Sequence, residues 1–145
     1  MATSYEWQWQ TRGARSAARC ILVVDENPLV GHVVVQGLAA LGHRAIHCAS
    51  ADEALRLCAH GLADGALIEA GLRTSDGVSL VALLYDRFPH VPVAVLTAWS
   101  DHPETRCADG RGVRMVLRKP IRLEQLDLAV RTLYDIAPLP ERCPN

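Results

Sequence analysis

The chain has 145 residues, and its 15 basic and 16 acidic side chains give a formal net charge of −1. That balance excludes a general electrostatic attraction to nucleic acid or to an anionic membrane surface. Half of the residues are apolar, yet no apolar run approaches the roughly 18 residues that a membrane span needs. We therefore expect one globular domain, without a secretory segment, that stays in the cytoplasm.

The five cysteines are odd in number and widely spaced, and no CxxC pair occurs. A disulfide framework is therefore not expected. Cys48 and Cys58 lie near His47 and His60 in the sequence, but the paired spacing of structural zinc ligands is missing. We interpret these residues as core thiols and surface imidazoles.

The two ends of the chain differ from its middle. We interpret residues 1–19 as a flexible arm and residues 136–145 as a tail, which leaves 20–135 as the folded domain. Trp7 and Trp9 alternate with polar residues near three arginines, a pattern that suits a docking segment or base stacking. Three arginines are a small footprint for nucleic acid, so we do not expect a nucleic-acid partner.

Five short apolar runs are typical of buried parallel strands. Helical patterns alternate with these runs along the chain. Such alternation predicts an α/β fold with a five-stranded parallel sheet, doubly wound, with helices on both faces. The predicted strands are residues 20–24, 44–48, 66–69, 91–97 and 113–117.

The predicted helices have recognisable starts. Asn27 is a preferred capping residue and Pro28 suits the first helical position. Ser50 opens the second helix in a capping-box pattern. Residues 100–109 form a weak helix at best. The residues expected to face the core are Leu29, Val30, Val33, Val34, Leu38 and Leu41 in the first helix, Val78, Leu80, Val81, Leu84 and Tyr85 in the third, and Leu123, Leu126, Val130 and Leu133 in the last.

Polar side chains stand at the ends of four predicted strands. Asp25 and Glu26 follow the first strand, and Glu69 ends the third. Thr97 ends the fourth strand, and Lys119 follows the fifth. Because parallel strands end at one edge of an open α/β sheet, we expect these side chains to meet there. Three carboxylates can hold Mg²⁺, and a lysine with a hydroxyl can bind phosphoryl oxygens.

No glycine-rich phosphate loop follows the first strand, so the fold is not expected to bind a nucleotide. The chain instead resembles the receiver domains of two-component response regulators over about residues 20–135. The motifs that carry the resemblance are Ile21-Leu-Val-Val-Asp-Glu-Asn-Pro28, Ser75-Asp-Gly77, Val95-Leu-Thr-Ala98 and Leu117-Arg-Lys-Pro120.

The resemblance implies the five-stranded, flavodoxin-like fold, a Lys119–Pro120 peptide that is commonly cis, and Asp76 as the cap of the third helix. It also implies that Asp25 and Glu26 correspond to the acidic pair that binds Mg²⁺. Thr97 corresponds to the hydroxyl that reports phosphorylation, and Lys119 to the invariant lysine of the site. The candidate metal ligands are therefore Asp25, Glu26 and Gly71, and Mg²⁺ is a candidate cofactor that the chain does not require.

Four positions depart from the family pattern. Glu69 stands where the phosphoaccepting Asp is expected, and Glu26 replaces the second Asp of the acidic pair. Val116 stands at the aromatic switch position, and Arg73 stands at that of a loop proline. Glu carries its carboxylate roughly 1.3–1.5 Å further than Asp, and a misplacement near 1 Å can cost phosphoryl transfer about 100-fold. We therefore expect Glu69 to pair with Lys119 and to mimic a phosphorylated acceptor or plug the pocket.

The expected function is that of a stand-alone, atypical receiver domain in two-component signalling, which docks a partner without phosphorylation and is not an enzyme. The alternative is a Mg²⁺-dependent receiver that a histidine kinase still phosphorylates on Glu69 or a neighbour. The expected partner is a histidine kinase or an output protein. Leu126, Val130 and Tyr134 either contribute to a homodimer or face the core. Trp99 either covers the pocket mouth or is a surface aromatic.

Overall fold

A computed structural model of the chain describes residues 19–98 and 112–134. This part of the chain contains five strands and four helices. The strands are β1 (Cys20–Val24), β2 (Arg44–Cys48), β3 (Gly65–Glu69), β4 (Val93–Thr97) and β5 (Val113–Arg118). The helices are α1 (Pro28–Ala40), α2 (Ala51–Ala59), α3 (Leu80–Arg87) and α4 (Leu123–Tyr134). The predicted weak helix at 100–109, Trp99 and the predicted tail lie outside the described residues, as does almost all of the predicted arm.

The five strands form one parallel sheet in the order β2-β1-β3-β4-β5. Alternate residues of the central strands point to opposite faces, so each face has its own apolar cluster. Helices α1 and α4 cover one cluster, and helices α2 and α3 cover the other. The predicted doubly wound, five-stranded parallel fold is therefore confirmed.

The strand boundaries differ slightly from the predicted ones. Strand β3 begins one residue earlier, at Gly65, and β5 extends by one residue to Arg118. Strand β4 begins at Val93, not at 91. Pro92 has no N–H to donate to a sheet ladder, although its carbonyl still accepts from the N–H of Ala66 at 3.0 Å.

Helix α1 buries a narrower stripe than the sequence pattern predicted. Gly31, Val34 and Leu38 are buried at spacings of three and four residues, which places them on one side of the helix. Leu29 and Val33 lie off this stripe and are 75% and 61% exposed. The prediction that both face the core is therefore wrong.

Two predictions for the later helices are also wrong. Ser79 caps α3, because its Oγ accepts from the N–H of Ala82, so Asp76 is not the cap. Val78 precedes the helix and is exposed. In α4, Leu123 is likewise exposed rather than buried.

The described structure also decides the role of two residues in α4. Leu126 and Val130 are buried and pack in the cluster beneath α1 and α4. They are therefore core residues and do not present a surface to a second copy of the chain. Of the two alternatives for Leu126 and Val130, the structure supports the one in which they face the core.

Candidate functional site

Three strand ends meet around one ammonium group. The Nζ atom of Lys119 lies 2.7 Å from Oδ2 of Asp25 and 3.2 Å from Oε1 of Glu69. Asp25 directly follows β1, Glu69 ends β3 and Lys119 directly follows β5. Parallel strands bring these residues to the carboxyl edge of the sheet, where open α/β folds form their sites. We call this group the carboxylate–lysine cluster.

Asp25 is the buried member of the cluster. Asp25 is fully buried, and both of its carboxylate oxygens accept hydrogen bonds. Oδ2 accepts from Lys119, and Oδ1 accepts from the backbone N–H of Asn27 at 2.8 Å. A buried carboxylate needs such partners, because an unpaired charge in the interior is strongly unfavourable.

Glu69 connects two loops. Its Oε1 accepts from Lys119 in the loop after β5, and its Oε2 accepts from the backbone N–H of Glu26 in the loop after β1, at 3.3 Å. The Glu69 side chain remains 29% exposed. Glu69 therefore connects both loops to the end of β3, and its side chain stays partly exposed to solvent.

Lys119 is the only lysine in the sequence, and the other 14 basic residues are arginines. Its side chain is 17% exposed. Its backbone N–H donates to the carbonyl of Thr97 at 2.8 Å, which continues the pairing of β4 with β5. The Lys119–Pro120 peptide is cis, as the family resemblance implied.

Burial and charge act in opposite directions on Lys119. Desolvation by burial lowers its pKa, but the hydrogen bond and charge of Asp25 and the charge of Glu69 raise it by more. The net result is a pKa above the ordinary value of 10.5. The ammonium group is therefore charged throughout the neutral pH range.

The other candidate residues, Thr97, Glu26 and Gly71, lie beside the cluster. Thr97 is buried at the end of β4, and its carbonyl holds the backbone of Lys119. Glu26 is exposed and contributes its backbone N–H to Glu69. Gly71 adopts a φ of 86° in the loop after β3, a conformation that favours glycine.

Asp25, Glu26 and Gly71 were the predicted candidate ligands of a metal ion. Across residues 19–98 and 112–134, no three His, Cys, Asp or Glu residues gather at a point where they could hold a metal. Carboxylates suit Mg²⁺ by chemistry, but the ammonium of Lys119 already lies between Asp25 and Glu69. The candidate set of Asp25, Glu26 and Gly71, in which Gly71 can offer only its backbone carbonyl, therefore stays a prediction.

His47 is a half-buried contact residue, so its interpretation as a surface imidazole is wrong. Its Nε2 lies 2.9 Å from the backbone carbonyl oxygen of Asp25. Its ring also packs so closely against α1 that a Cβ on Gly31 would overlap it. The contact crosses from β2 to β1, so only the register of these two strands, not a local motif, could have indicated it.

The two candidate cysteines of the zinc interpretation lie in the core. Cys48 and Cys58 are buried in the cluster under α2 and α3. Burial raises the pKa of Cys48 to about 12 and that of Cys58 to about 11. Both are therefore core thiols, as predicted, and they are protonated at neutral pH.

A family profile for the response regulator receiver domain matches residues 21–131. The chain belongs to this family. Receiver domains are signalling modules of two-component systems, generally not enzymes, that interact with histidine kinases and output domains. They typically bind Mg²⁺ when phosphorylated.

Curated relatives agree with this assignment. The transcriptional regulatory protein PhoP of Escherichia coli O157:H7 is 29% identical over 116 residues, which cover 78% of this chain and 51% of PhoP. The virulence transcriptional regulatory protein PhoP of Salmonella typhimurium strain LT2 is 30% identical over the same share of this chain and 50% of its own. The chain thus spans about half the length of the curated relatives it matches.

Solved structures share the fold. NtrX from Brucella abortus matches with a TM-score of 0.72 and 26% identity, over 81% of this chain and 28% of NtrX. A response regulator from Thermotoga maritima matches with a TM-score of 0.71 and 23% identity, over 82% of this chain and 99% of its own. As for membranes, none of the helices in the described ranges is long and apolar enough to cross a bilayer.

Proposed function

We propose that this receiver domain signals without being phosphorylated, by docking a partner protein whose binding depends on the carboxylate–lysine cluster. The observation that carries the proposal is the engagement of Glu69, whose two carboxylate oxygens accept from Lys119 and from the N–H of Glu26. Glu69 ends β3, the position at which the family resemblance places the phosphoaccepting Asp.

The length of the glutamate side chain supports this proposal. Its carboxylate reaches roughly 1.3–1.5 Å further than that of an aspartate, into the space toward Lys119. A lysine beside a phosphoryl acceptor would otherwise stabilise phosphoryl oxygens. In this chain the glutamate carboxylate supplies an anionic partner to Lys119 without any transfer, so the cluster resembles a permanently loaded site.

Asp25 is a less favourable acceptor than Glu69. Its residue is fully buried, and each of its carboxylate oxygens already accepts a hydrogen bond. In-line phosphoryl transfer needs an accessible oxygen at the correct distance from the donor. A phosphodonor would have to displace Lys119 before it reached Asp25, so we do not assign phosphate acceptance to this residue.

The proposed function does not use Mg²⁺, in contrast to the function of a receiver that accepts phosphate. In a receiver that accepts phosphate, a bound Mg²⁺ neutralises charge on the phosphoryl oxygens. Among the described residues, no three His, Cys, Asp or Glu side chains gather in one place, and Lys119 already provides a cation to both Asp25 and Glu69. We therefore propose that docking requires no metal.

Apolar surface lies beside the cluster. A groove of about 260 Å³ runs between α1 and the loop after β5, and the side chains along it include Val33, Lys119 and Pro120. Leu29 and Val33 are largely exposed there. Lys119 belongs to both the groove and the cluster, so the pairing with Glu69 holds one wall of the groove in place. This link supports partner docking that depends on Glu69.

The alternative is a receiver that a histidine kinase phosphorylates on Glu69. One observation favours it: the Glu69 side chain is partly exposed, so a donor could approach it from solvent. The alternative requires the acceptor to release Lys119 or Glu26 during transfer, and the longer side chain to reach the in-line geometry. We therefore place it second.

Amide resonances of the ¹⁵N-labelled chain provide the test. The spectrum is recorded before and after incubation with acetyl phosphate and Mg²⁺, for the natural chain and for Glu69→Gln. The proposal expects the phosphodonor to cause no change in the spectrum of the natural chain. The substitution Glu69→Gln, without any phosphodonor, should by itself shift the resonances of Glu26 and Lys119. Phosphodonor-dependent shifts around Glu69 in the natural chain, absent from Glu69→Gln, would establish the alternative.

A further inference from the structure

A second cavity, of about 440 Å³, lies at the amino-terminal edge of the sheet. Arg19 precedes β1, Asp64 precedes β3, Arg114 is the second residue of β5, and Tyr134 ends α4; all four line the cavity. A strand of five residues spans roughly 16 Å, so this cavity lies about one strand length from the carboxylate–lysine cluster. It is therefore separate from the candidate site already described.

Arg19 contributes a positive charge to this cavity. Its guanidinium lies over the ring of Tyr134, 4.5 Å from the ring centre. The salt bridges within residues 19–98 and 112–134 do not include it. The charge of Arg19 also affects the neighbouring His43. The pKa of His43 is lowered mainly by burial and, to a smaller extent, by the charge of Arg19.

Arg114 contributes a buried donor. Its Nη1 donates to the carbonyl of Leu133 at 2.9 Å, which fixes the guanidinium against the end of α4. Its Nε is buried, and no acceptor within the described part of the chain reaches it. A buried N–H without an acceptor is unfavourable, so an oxygen from a ligand in the cavity would relieve it.

The net charge of the cavity favours an anion. Two guanidinium groups, of Arg19 and Arg114, face one carboxylate, of Asp64. Oδ2 of Asp64 accepts from the backbone N–H of Cys20 at 2.8 Å, at the start of β1. Among the residues that the structure describes, one positive charge therefore remains in excess, and His90 also lines the cavity.

We propose that this cavity binds a small oxyanion, a phosphate or carboxylate group of a small molecule, between the guanidinium groups of Arg19 and Arg114. The planar fork of a guanidinium donates two parallel hydrogen bonds to either group. The cavity volume is within the range of small-molecule sites. This site does not depend on Glu69 or Lys119, so its test is independent of the proposed function.

The test is calorimetric titration of the full chain with inorganic phosphate and, separately, with succinate, at constant ionic strength set by chloride. Saturable binding at one site is expected for at least one of them. Arg19→Gln and Arg114→Gln are each expected to weaken it at least about tenfold, as loss of a charge-assisted hydrogen bond would. Arg122→Gln removes the same charge from an exposed residue at the opposite edge of the sheet and is expected to leave binding unchanged.

Arg114 also holds the end of α4, so Arg114→Gln can fail to fold for structural reasons. In that case Arg19→Gln is the deciding variant. Binding of phosphate alone assigns the site to phosphate esters, and binding of succinate alone assigns it to carboxylates. The proposal is overturned if neither anion binds saturably. It is equally overturned if Arg19→Gln binds as tightly as Arg122→Gln.

Discussion

The ammonium group of Lys119 and the carboxylate of Glu69 lie 3.2 Å apart, although 50 positions of sequence separate them. The same ammonium lies 2.7 Å from the buried carboxylate of Asp25. One cation therefore serves two carboxylates that arrive on different strands. The arrangement fixes the loop after β5 against the end of β3, and the proposed signalling without phosphorylation rests on this contact.

Replacement of Lys119 by alanine should destabilise the fold. Asp25 would remain fully buried with its charge unpaired, and breaking a buried pair in this way costs about 3 kcal/mol or more. The measurement is the free energy of unfolding in urea at neutral pH.

Arg131→Ala is the matched control for this variant, because Arg131 forms an exposed pair with Asp127 at 2.9 Å. Exposed pairs contribute about 0.2–1 kcal/mol at most. If Lys119→Ala unfolded at the same urea concentration as Arg131→Ala, the cluster would not contribute to stability.

The pKa of Lys119 can be measured directly, because no other side-chain amine of a lysine is present in the sequence. A pH titration of its ¹³Cε resonance should give a pKa above 10.5 in the natural chain. Glu69→Gln removes one of the charges that raise this pKa, so its lysine should titrate at a lower pH. Equal titration curves would show that Glu69 does not interact with the ammonium.

The raised pKa also fixes the sign of a stability effect. The folded state binds the lysine proton more tightly than the unfolded state does, so this contribution is fully present below the ordinary pKa of 10.5. It is lost as the pH rises through the higher pKa of the folded state. The raised pKa values of the buried Cys48 and Cys58 thiols also lower stability in the same pH range in every variant, so unfolding in urea above pH 10.5 should show a larger loss of stability in the natural chain than in Lys119→Met.

Most of the fold could be predicted from the sequence because buried parallel strands are nearly continuous apolar runs. The runs at 20–24 and 44–48 match β1 and β2 residue for residue. The side of α1 that faces the sheet could not be predicted in the same way. Its apolar residues cover more than one face, and only the packing on the sheet shows that Leu29 and Val33 remain outside.

The meeting of Asp25, Glu69 and Lys119 could be predicted because each follows or ends a strand of one parallel sheet. The hydrogen bonds around them could not. The N–H of Glu26 reaches Glu69, and His47 reaches the carbonyl of Asp25, through the detailed path of the loop after β1. Such contacts depend on backbone direction, which residue types alone do not specify.

Substitution of Gly31 by alanine should test the packing of His47. Alanine in place of glycine stabilises a helix interior by about 1 kcal/mol, but the added Cβ would overlap the His47 ring. Overpacking of this kind costs about 1–3 kcal/mol. We expect a net loss of about 1 kcal/mol in the free energy of unfolding, measured in urea.

The double variant with His47→Ala separates the two effects. With the ring removed, Gly31→Ala should become neutral or stabilising, and the difference is the coupling energy of the pair. An equal loss with and without the His47 ring would mean that the overlap is not the cause.

The cysteines under α2 and α3 should be unreactive in the folded protein. Burial raises the pKa of Cys48 to about 12 and that of Cys58 to about 11, so almost no thiolate is present at neutral pH. Peptide mapping after treatment with iodoacetamide should find both unmodified in the native chain and modified in urea. Rapid modification of Cys48 without denaturant would contradict this picture of the core.

Glu69→Asp should gain part of the phosphorylation chemistry that the family resemblance implies. The shorter side chain withdraws the carboxylate from Lys119 and restores the acceptor length. The rate at which acetyl phosphate with Mg²⁺ adds a phosphoryl group should therefore exceed that of the natural chain. If Glu69→Asp stays unmodified, the site has lost acceptor activity for reasons beyond the length of this side chain.

The most direct test of the central claim is the intact mass of the natural chain after incubation with acetyl phosphate and Mg²⁺. The engagement of Glu69 by Lys119 and Glu26 predicts an unchanged mass. A gain of one phosphoryl group that disappears in Glu69→Gln would contradict it, since Glu69 would then be a working phosphoacceptor.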